Sequence, residues 1–275
     1  MRHRLSLTAA LIIGLIASPT LAQDLTAQTR ALQAALQEND IAKAKTLAAS
    51  LQTASLDAQE YTVAGYAAFV QGGLLDSEKA YADAANAYED CYEAYDAAGS
   101  AAQAIQCHYK SGQAYVAARQ SGNAVSSLKK TARMLEDIGQ DKSALASQVY
   151  LTLAEQIRPQ KLERSPKARS ERRQSATYAG KAIAAMEASG MTEGAELPAA
   201  YFVKGLAHED AKDYEEAVAA YEMAVSLYEA YPNVTQDELR TIRSRLSIAR
   251  LDSGIGFVKA DCHFISGDGL FIVLC

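Results

Sequence analysis

Four cysteines give this chain the means to form disulfides. Cys91 lies eight residues before Gly99 and Cys107 lies eight residues after it. If two helices turn at Gly99, the two thiols come level, and a disulfide forms where their Cα atoms approach to about 4.4–6.8 Å. The alternative is a pair of small thiols buried in a helix interface. An even cysteine count is typical of exported proteins, whose compartment is oxidising.

The second pair, Cys262 and Cys275, lies in a C-terminal tail, residues 252–275, where short apolar runs replace the helical pattern. Asp268-Gly269 is a typical two-residue hairpin turn. Counting outward from that turn, Cys262 pairs with Cys275 at a non-hydrogen-bonded position, where strands approach most closely. The pattern predicts either a β-hairpin with a cross-strand disulfide, or an irregular or truncated tail whose symmetry is accidental.

Catalytic motifs are missing from the sequence. There is no paired-histidine metalloprotease helix, no Gly-x-Ser-x-Gly elbow, no phosphate-binding glycine loop and no Cys-x-x-Cys pair. His108, His208 and His263 are widely separated and are interpreted as structural. Carboxylates such as Glu215 and Glu216 lie on solvated helix faces, and a glycosidase-type carboxylate pair is the catalytic option that the sequence leaves open. We expect no enzymatic activity, no cofactor and no metal.

A basic segment at residues 158–173 interrupts an acidic chain, which has 27 Lys and Arg against 33 Asp and Glu and a formal charge of −6. That overall balance argues against a nucleic-acid partner. The segment either docks an anionic partner or anionic membrane surface, or is a solvated linker with a basic helix start. Its basic residues are Arg158, Lys161, Arg164, Lys167, Arg169, Arg172 and Arg173.

Residues 1–22 have the pattern of a secretory signal peptide. Arg2 and Arg4 give a basic start, an apolar stretch follows, and Thr20-Leu21-Ala22 resembles a small-residue cleavage site. The alternative, a retained anchor, suits the stretch less well because it is short for roughly 30 Å of hydrocarbon. We expect cleavage near Ala22, a mature charge of −8 from 25 basic and 33 acidic side chains, no membrane span, and a periplasmic or secreted location.

Residues 23–251 are predicted to form helices joined by short turns, because alanine is abundant and β-branched runs are few. The predicted helices are about 25–37, 40–53, 56–71, 77–97, 101–119, 122–138, 142–158, 168–189, 195–210 and 213–230, and a last one from Thr235 to about 251. The predicted breakers are Gly72-Gly73, Gly99, Ser121-Gly122, Gly139, Pro159, Gly190 and Pro232.

Small residues recur where pairs of helices would cross. In four predicted helices an aromatic residue or histidine stands four residues before a small one: Tyr61 and Gly65, His108 and Gly112, Tyr150 and Ala154, Tyr201 and Gly205. Each is followed by a helix with a small–large–small triplet: Ala84, Tyr88, Cys91; Ala124, Leu128, Thr131; Ser175, Ala179, Ala182; Ala217, Tyr221, Ala224. A larger side chain at a close crossing would push the two backbones apart.

With these markers the chain resembles the tetratricopeptide-repeat family, which has a 34-residue period. The best match is Tyr201, Gly205, Tyr214, Ala217, Tyr221 and Ala224, and the second is Gly112, Tyr115, Ala124 and Leu128. The units at 65 and 154 fit only with insertions. The resemblance implies an all-α, right-handed superhelical stack of antiparallel helix hairpins over residues 23–251. The other interpretation is a helical bundle without regular stacking.

In that family the first helix of each hairpin lines a concave binding surface, so the resemblance implies a peptide or protein partner. Positions carried over from Gly65, Gly112 and Gly205 would give an aromatic and amide-rich lining, suited to an extended peptide or an amphipathic helix. For a single aromatic residue, interhelical core is an equally good interpretation. The predicted binding residues are Tyr66, Phe69, Tyr109, Gln113, Val116, Phe202 and Leu206. Thr62 and Glu209 complete the lining.

The tail carries a second, weaker resemblance. Gly256-Phe257-Val258, Phe264 and Asp268-Gly269 look like the opening hairpin of a TonB C-terminal domain, with spacing that differs by one residue. This resemblance implies an alternative function, a truncated relative of an energy transducer in which the helical repeats serve as a spacer.

Overall fold

The computed structural model describes residues 19–159, 165–231 and 235–254, and within these ranges every regular element is a helix. The all-α prediction is therefore confirmed. The helices are α1 (Pro19–Gln37), α2 (Ile41–Asp57), α3 (Tyr61–Ser77), α4 (Tyr81–Ala97), α5 (Ala101–Ala117), α6 (Ser121–Asp137), α7 (Ala144–Ile157), α8 (Pro166–Ser189), α9 (Glu196–Ala211), α10 (Tyr214–Ala230) and α11 (Gln236–Ser253).

The chain divides into two compact units, Met1–Cys107 and His108–Cys275, with the boundary inside α5. In the first unit α1 packs on α2, α2 on α3 and α3 on α4. In the second unit each helix from α6 to α11 packs on the next one along the chain. Each unit is thus a stack of consecutive helices, as the hairpin pattern predicts.

A 20-residue module repeats along the chain from α2 to α6. Helices α2 to α6 each have 17 residues and begin at positions 41, 61, 81, 101 and 121. After α3, the N–H of Ala80 donates to the carbonyl of Leu75 at 2.9 Å, the bond of a Schellman cap. One residue per turn is left-handed: Asn39, Gln59, Lys79, Gly99, Arg119 and Gly139. A hairpin therefore takes 40 residues here, because each helix is longer than in a 34-residue repeat.

Two of the predicted turns are wrong. Gly72-Gly73 lies inside α3, which begins at Tyr61 and continues to Ser77. A Cβ at Gly72 would lie 2.6 Å from a ring carbon of Tyr88, so this glycine serves a close helix contact rather than a turn. Ser121-Gly122 opens α6, and the turn is at the left-handed Arg119.

Other predicted boundaries are confirmed. Gly99, Gly139 and Gly190 are left-handed residues that follow helices, and α7 ends just before Pro159. Thr235 and Glu238 form the predicted capping box of α11, in which the Thr235 hydroxyl accepts from the Glu238 N–H at 3.2 Å.

The four small–large–small triplets are all buried, as expected. In three of the four hairpins the large residue of the triplet packs on a glycine of the preceding helix that lies 16 residues before it. A Cβ at Gly112 would lie 3.0 Å from Leu128, and one at Gly205 would lie 2.5 Å from Tyr221. Gly72 and Tyr88 have the same spacing. Gly72 is therefore the glycine of the first hairpin that corresponds to Gly112 and Gly205.

Gly65, which the sequence analysis chose as that marker, lies against a different tyrosine. Its Cβ would lie 2.8 Å from the ring of Tyr95, which is on α4. The two helices are antiparallel, so Gly65 and Gly72 receive Tyr95 and Tyr88 respectively. The register predicted for this hairpin is thus wrong by seven residues, although both glycines serve close packing.

We predict opposite effects for two glycine-to-alanine changes in the second unit. Gly205→Ala should lower the free energy of unfolding by about 1–3 kcal/mol, because its Cβ meets the buried Tyr221 ring. Gly180→Ala, in the interior of α8 with nothing within 4 Å of its Cβ, should raise it by about 0.5–1 kcal/mol. Urea denaturation of both variants checks this. Equal stabilisation by both would contradict the packing described.

Candidate binding surface

All seven residues predicted to bind a partner lie on odd-numbered helices. Tyr66 and Phe69 are on α3, Tyr109, Gln113 and Val116 on α5, and Phe202 and Leu206 on α9. Tyr66 and Tyr109 each expose only 6 % of their surface, whereas the other five are half-buried. The accessible part of the predicted surface is therefore carried by those five residues. The role of all seven in binding stays a prediction.

The register set by Gly72 aligns the aromatic residues of the two units. Phe69 stands three residues before Gly72, as Tyr109 stands before Gly112 and Phe202 before Gly205. The ring contacts repeat as well. The centroids of Phe69 and Tyr88 are 5.7 Å apart, and those of Phe202 and Tyr221 are 5.8 Å apart. Equivalent aromatic pairs thus hold the first helix of a hairpin against its second helix.

Tyr109 is the centre of a polar network between α5 and α7. Its hydroxyl accepts a hydrogen bond from Gln113 Nε2 at 2.8 Å and donates to Gln148 Oε1 at 3.5 Å. Burial raises the pKa of Tyr109, and hydrogen bonds from Thr152 and Gln113 partly offset this. The network combines a buried ring with amides, of which Gln113 is half-buried and Gln148 is exposed.

Sequence reasoning missed Gln148 and Thr152. Gln148 stands six residues before Ala154, just as Tyr66 stands six before Gly72. The lining positions carried onto Ala154 are Leu151, Glu155 and Arg158, so the pattern does not reach Gln148. Tyr66 resembles Tyr109 in its surroundings, because burial raises its pKa and a hydrogen bond with Gln33 lowers it in part.

An acidic residue accompanies each tyrosine that packs on a repeat glycine. The Tyr221 hydroxyl donates to Glu209 Oε2 at 2.5 Å, and Arg245 Nη1 lies 2.9 Å from Glu209 Oε1. Tyr88 has Asp76 at the corresponding place, four residues after Gly72. Burial, and then the Asp76 charge, raise the pKa of Tyr88 to about 12. Glu209, predicted to line the surface, thus contacts Tyr221 and Arg245.

The hairpin of Gly112 shows the apolar version of the same arrangement. Leu128 replaces the tyrosine, and Val116 stands where the other hairpins have an acid. A leucine has no hydroxyl that needs an acceptor, so an apolar neighbour suffices. Val116 consequently offers an apolar, half-buried side chain on α5.

The basic segment is divided between the protein interior and the surface. Arg158 Nη1 lies 3.8 Å from Asp210 Oδ2, and Arg172 exposes only 6 % of its surface. Burial raises the pKa of Asp210, and the charges of Arg158 and Arg172 oppose that rise. Two of the predicted docking residues are therefore engaged within the protein. Lys167, Arg169 and Arg173 are exposed. Lys161 and Arg164 lie outside the described residues.

Cys91 and Cys107 form a disulfide that joins α4 to α5. Both are buried, and Phe69, Tyr92 and Tyr95 pack around them. Their Cα atoms are 5.8 Å apart, within the range that the disulfide alternative requires. Cys262 and Cys275, the hairpin predicted around them and the TonB-like motif lie outside the described residues, as do residues 1–18 of the predicted signal peptide.

A search of the described helices for membrane spans found none with the necessary length and apolar character. The same part of the chain contains no cluster of three or more His, Cys, Asp or Glu that could hold a metal ion.

Comparison with known proteins identifies the fold. No protein-family model and no curated protein sequence matches the chain. The crystal structure of BtubC (BKLC) from P. vanneervenii is similar with a TM-score of 0.55 and 13 % identity, over 86 % of this chain and 85 % of that one. A putative kinesin light chain from Podosopora anserina with nearly identical TPR-like repeats gives 0.54 and 12 %, over 77 % and 98 %.

The apo form of RapI is similar with a TM-score of 0.57 and 9 % identity, over 79 % of this chain and 61 % of RapI. At such low identities the likenesses establish the fold alone. The chain therefore has a tetratricopeptide-like helical-repeat fold.

We predict a specific contribution of Tyr88 to alkaline unfolding. Its pKa in the folded protein, about 12, lies above the ordinary value of 10, so the folded state holds this proton more tightly. The resulting stabilisation is complete below pH 10 and is lost as the pH rises towards 12. In Tyr88→Phe the free energy of unfolding should therefore fall less steeply with pH over that range. The difference in slope should be up to about 1.4 kcal/mol per pH unit.

Urea denaturation at several pH values between 9 and about 12 measures this slope. Asp76→Asn is the control, because it keeps the Tyr88 ring and hydroxyl but removes the charge that contributes to the raised pKa. Asp76→Asn should also make the free energy of unfolding fall less steeply with pH, but by a smaller amount than Tyr88→Phe does. A slope unchanged by Tyr88→Phe would show that Tyr88 does not titrate as described.

Proposed function

We propose that this protein is a non-catalytic scaffold that binds an extended peptide or an amphipathic helix of a partner protein on the odd-numbered helices of its second unit. The observation that supports this most is that the first helices α5, α7 and α9 are neighbours. The Tyr109 hydroxyl joins α5 to Gln148 of α7, and α7 also contacts α9. These three helices carry accessible apolar and amide side chains. They are Gln113, Val116, Gln148, Phe202 and Leu206.

The chemistry of these side chains suits a peptide. Amides such as Gln113 and Gln148 can donate to carbonyls and accept from N–H groups of an extended main chain. Phe202 and Leu206, both half-buried, leave apolar surface on which a partner's side chains can pack. A ligand of mixed polarity, with regularly spaced apolar residues, fits this surface better than a highly charged one.

The proposal includes export from the cytoplasm. It is supported by the signal-like pattern of residues 1–22 and by the disulfide between Cys91 and Cys107, a bond that persists in oxidising compartments. The partner would then be a protein of the periplasm or the cell envelope.

Photo-crosslinking tests the proposed surface in the periplasm of an expressing bacterium. A photoreactive amino acid replaces Gln113, Leu206 or, as a matched control, Gln174, a half-buried glutamine on α8. We expect Gln113 and Leu206 to give the same partner adduct and Gln174 to give none, because only the first two lie on odd-numbered helices. An adduct formed equally from all three positions, or from none, would contradict the assignment.

A substitution on the same surface supplies the quantitative arm of this test. Gln148→Ala removes an exposed amide and should reduce adduct formation at Leu206 about tenfold, equivalent to about 1.4 kcal/mol of binding free energy. Gln174→Ala should leave the adduct unchanged. Thermal melts of both variants show whether folding is retained.

A further inference from the structure

Among the described residues of the second unit the last helix is α11, which packs on α10 through one side. Leu239, Ile242 and Leu246 belong to the core shared with α10. On another side of α11 lies a shallow depression, to which no other helix of the described chain contributes a residue. It is lined by Gln236, Arg240, Arg243, Ser244 and Ser247.

The internal repeat identifies what this side corresponds to. A shift of 42 residues places α9 on α11 and superimposes three of the four buried residues of α11 on buried residues of α9. Leu197, Ala200 and Ala207 of α9 correspond to Leu239, Ile242 and Ala249 of α11, and all six are buried. The side of α11 that packs on α10 is therefore equivalent to the side of α9 that packs on α8.

The helix ends follow the same shift. Lys212 ends α9 in the left-handed conformation, and its N–H donates to the carbonyl of Glu209 at 3.0 Å. Gly254 ends α11 in the left-handed conformation, and its N–H donates to the carbonyl of Leu251 at 3.3 Å. After Lys212 the chain returns onto α9 as α10. The turn at Gly254 starts in the same way from the same register.

The depression on α11 is the counterpart of the place where α10 lies on α9. Gly205 of α9 packs on α10 and is buried, and Phe202 and Leu206 each bury part of their surface there. Their counterparts are Ser244, Ser247 and Ile248, which are all exposed. Ile248 exposes 44 % of its surface, and Leu251, the counterpart of Glu209, exposes 66 %. This side of α11 is thus a second-helix position that no described helix fills.

We propose that residues 255–275 of the same chain pack into this position on α11. The segment is attached directly to the turn at Gly254, so its local concentration at the depression is high. It is longer than α10, which has 17 residues, and can therefore cover the whole side. The lining of the depression is polar, and the apolar surface of α11 available to the segment is that of the exposed Ile248 and Leu251. The apolar residues of the segment include Phe257, Val258, Phe264, Ile265, Phe271 and Ile272.

Disulfide trapping in the full chain tests this. Ser247→Cys places a thiol in the depression, and Cys262 and Cys275 of the segment are its natural partners. Asp252→Cys is the matched control, because it is exposed, closer to the segment along the chain, and about 140° around the helix from Ser247. In a glutathione redox buffer, peptide mapping without reduction identifies which cysteines have joined.

We expect Ser247→Cys to form an intramolecular disulfide with Cys262 or Cys275 about tenfold faster than Asp252→Cys does, because docking holds the thiols together. Equal or slower trapping at Ser247 would overturn the proposal. A disulfide between two copies through Ser247→Cys would also overturn it, since a second chain would then occupy the position.

Alkylation of the Ser247→Cys thiol provides an independent measurement. A docked segment should slow its alkylation about tenfold relative to the same variant ending at Gly254, because the segment covers the thiol. Equal alkylation rates in the two chains would show that the side is open and would likewise overturn the proposal.

Discussion

The close approach of a ring or leucine to a glycine is the contact on which the rest of this structure depends. Gly72 receives Tyr88, Gly112 receives Leu128 and Gly205 receives Tyr221, each at a spacing of 16 residues. A Cβ at any of these glycines would lie 3.0 Å or less from the facing side chain. Because protein interiors are close-packed, such contacts fix both the distance between the helices of a hairpin and their register.

That register in turn determines which side chains of each first helix remain accessible to a partner. A tyrosine packed on the glycine needs a hydrogen-bond acceptor for its hydroxyl, and Glu209 accepts from Tyr221. Glu209 also forms an ion pair with Arg245. Where Leu128 replaces the tyrosine, Val116 remains accessible and apolar. The candidate binding surface is therefore the part of the first-helix side chains that the interhelical contacts leave accessible. The same register, carried to α11, locates the unfilled position at the end of the stack.

The helix hairpins and the small residues at their crossings could be predicted from sequence, because a close crossing of two helices needs small side chains whatever else surrounds it. The choice between Gly65 and Gly72 could not. The two are seven residues apart, about two turns, so they share one face of α3 and both receive a tyrosine. Gly72-Gly73 also has the composition of a turn, and only the packing of Tyr88 explains why the helix continues. The burial of Tyr66 and Tyr109 depends on neighbouring helices, which periodicity does not describe.

A double-mutant cycle on Gly72 and Tyr88 tests the glycine contact most directly. Urea denaturation gives the free energies of unfolding of Gly72→Ala, Tyr88→Ala and the double variant. If the Tyr88 ring occupies the space that a Cβ would need, Gly72→Ala should be destabilising beside Tyr88 and neutral or stabilising beside Ala. The coupling should then be about 1–3 kcal/mol. Additive effects within about 0.5 kcal/mol would contradict the account, because they would mean that the two residues do not share that space.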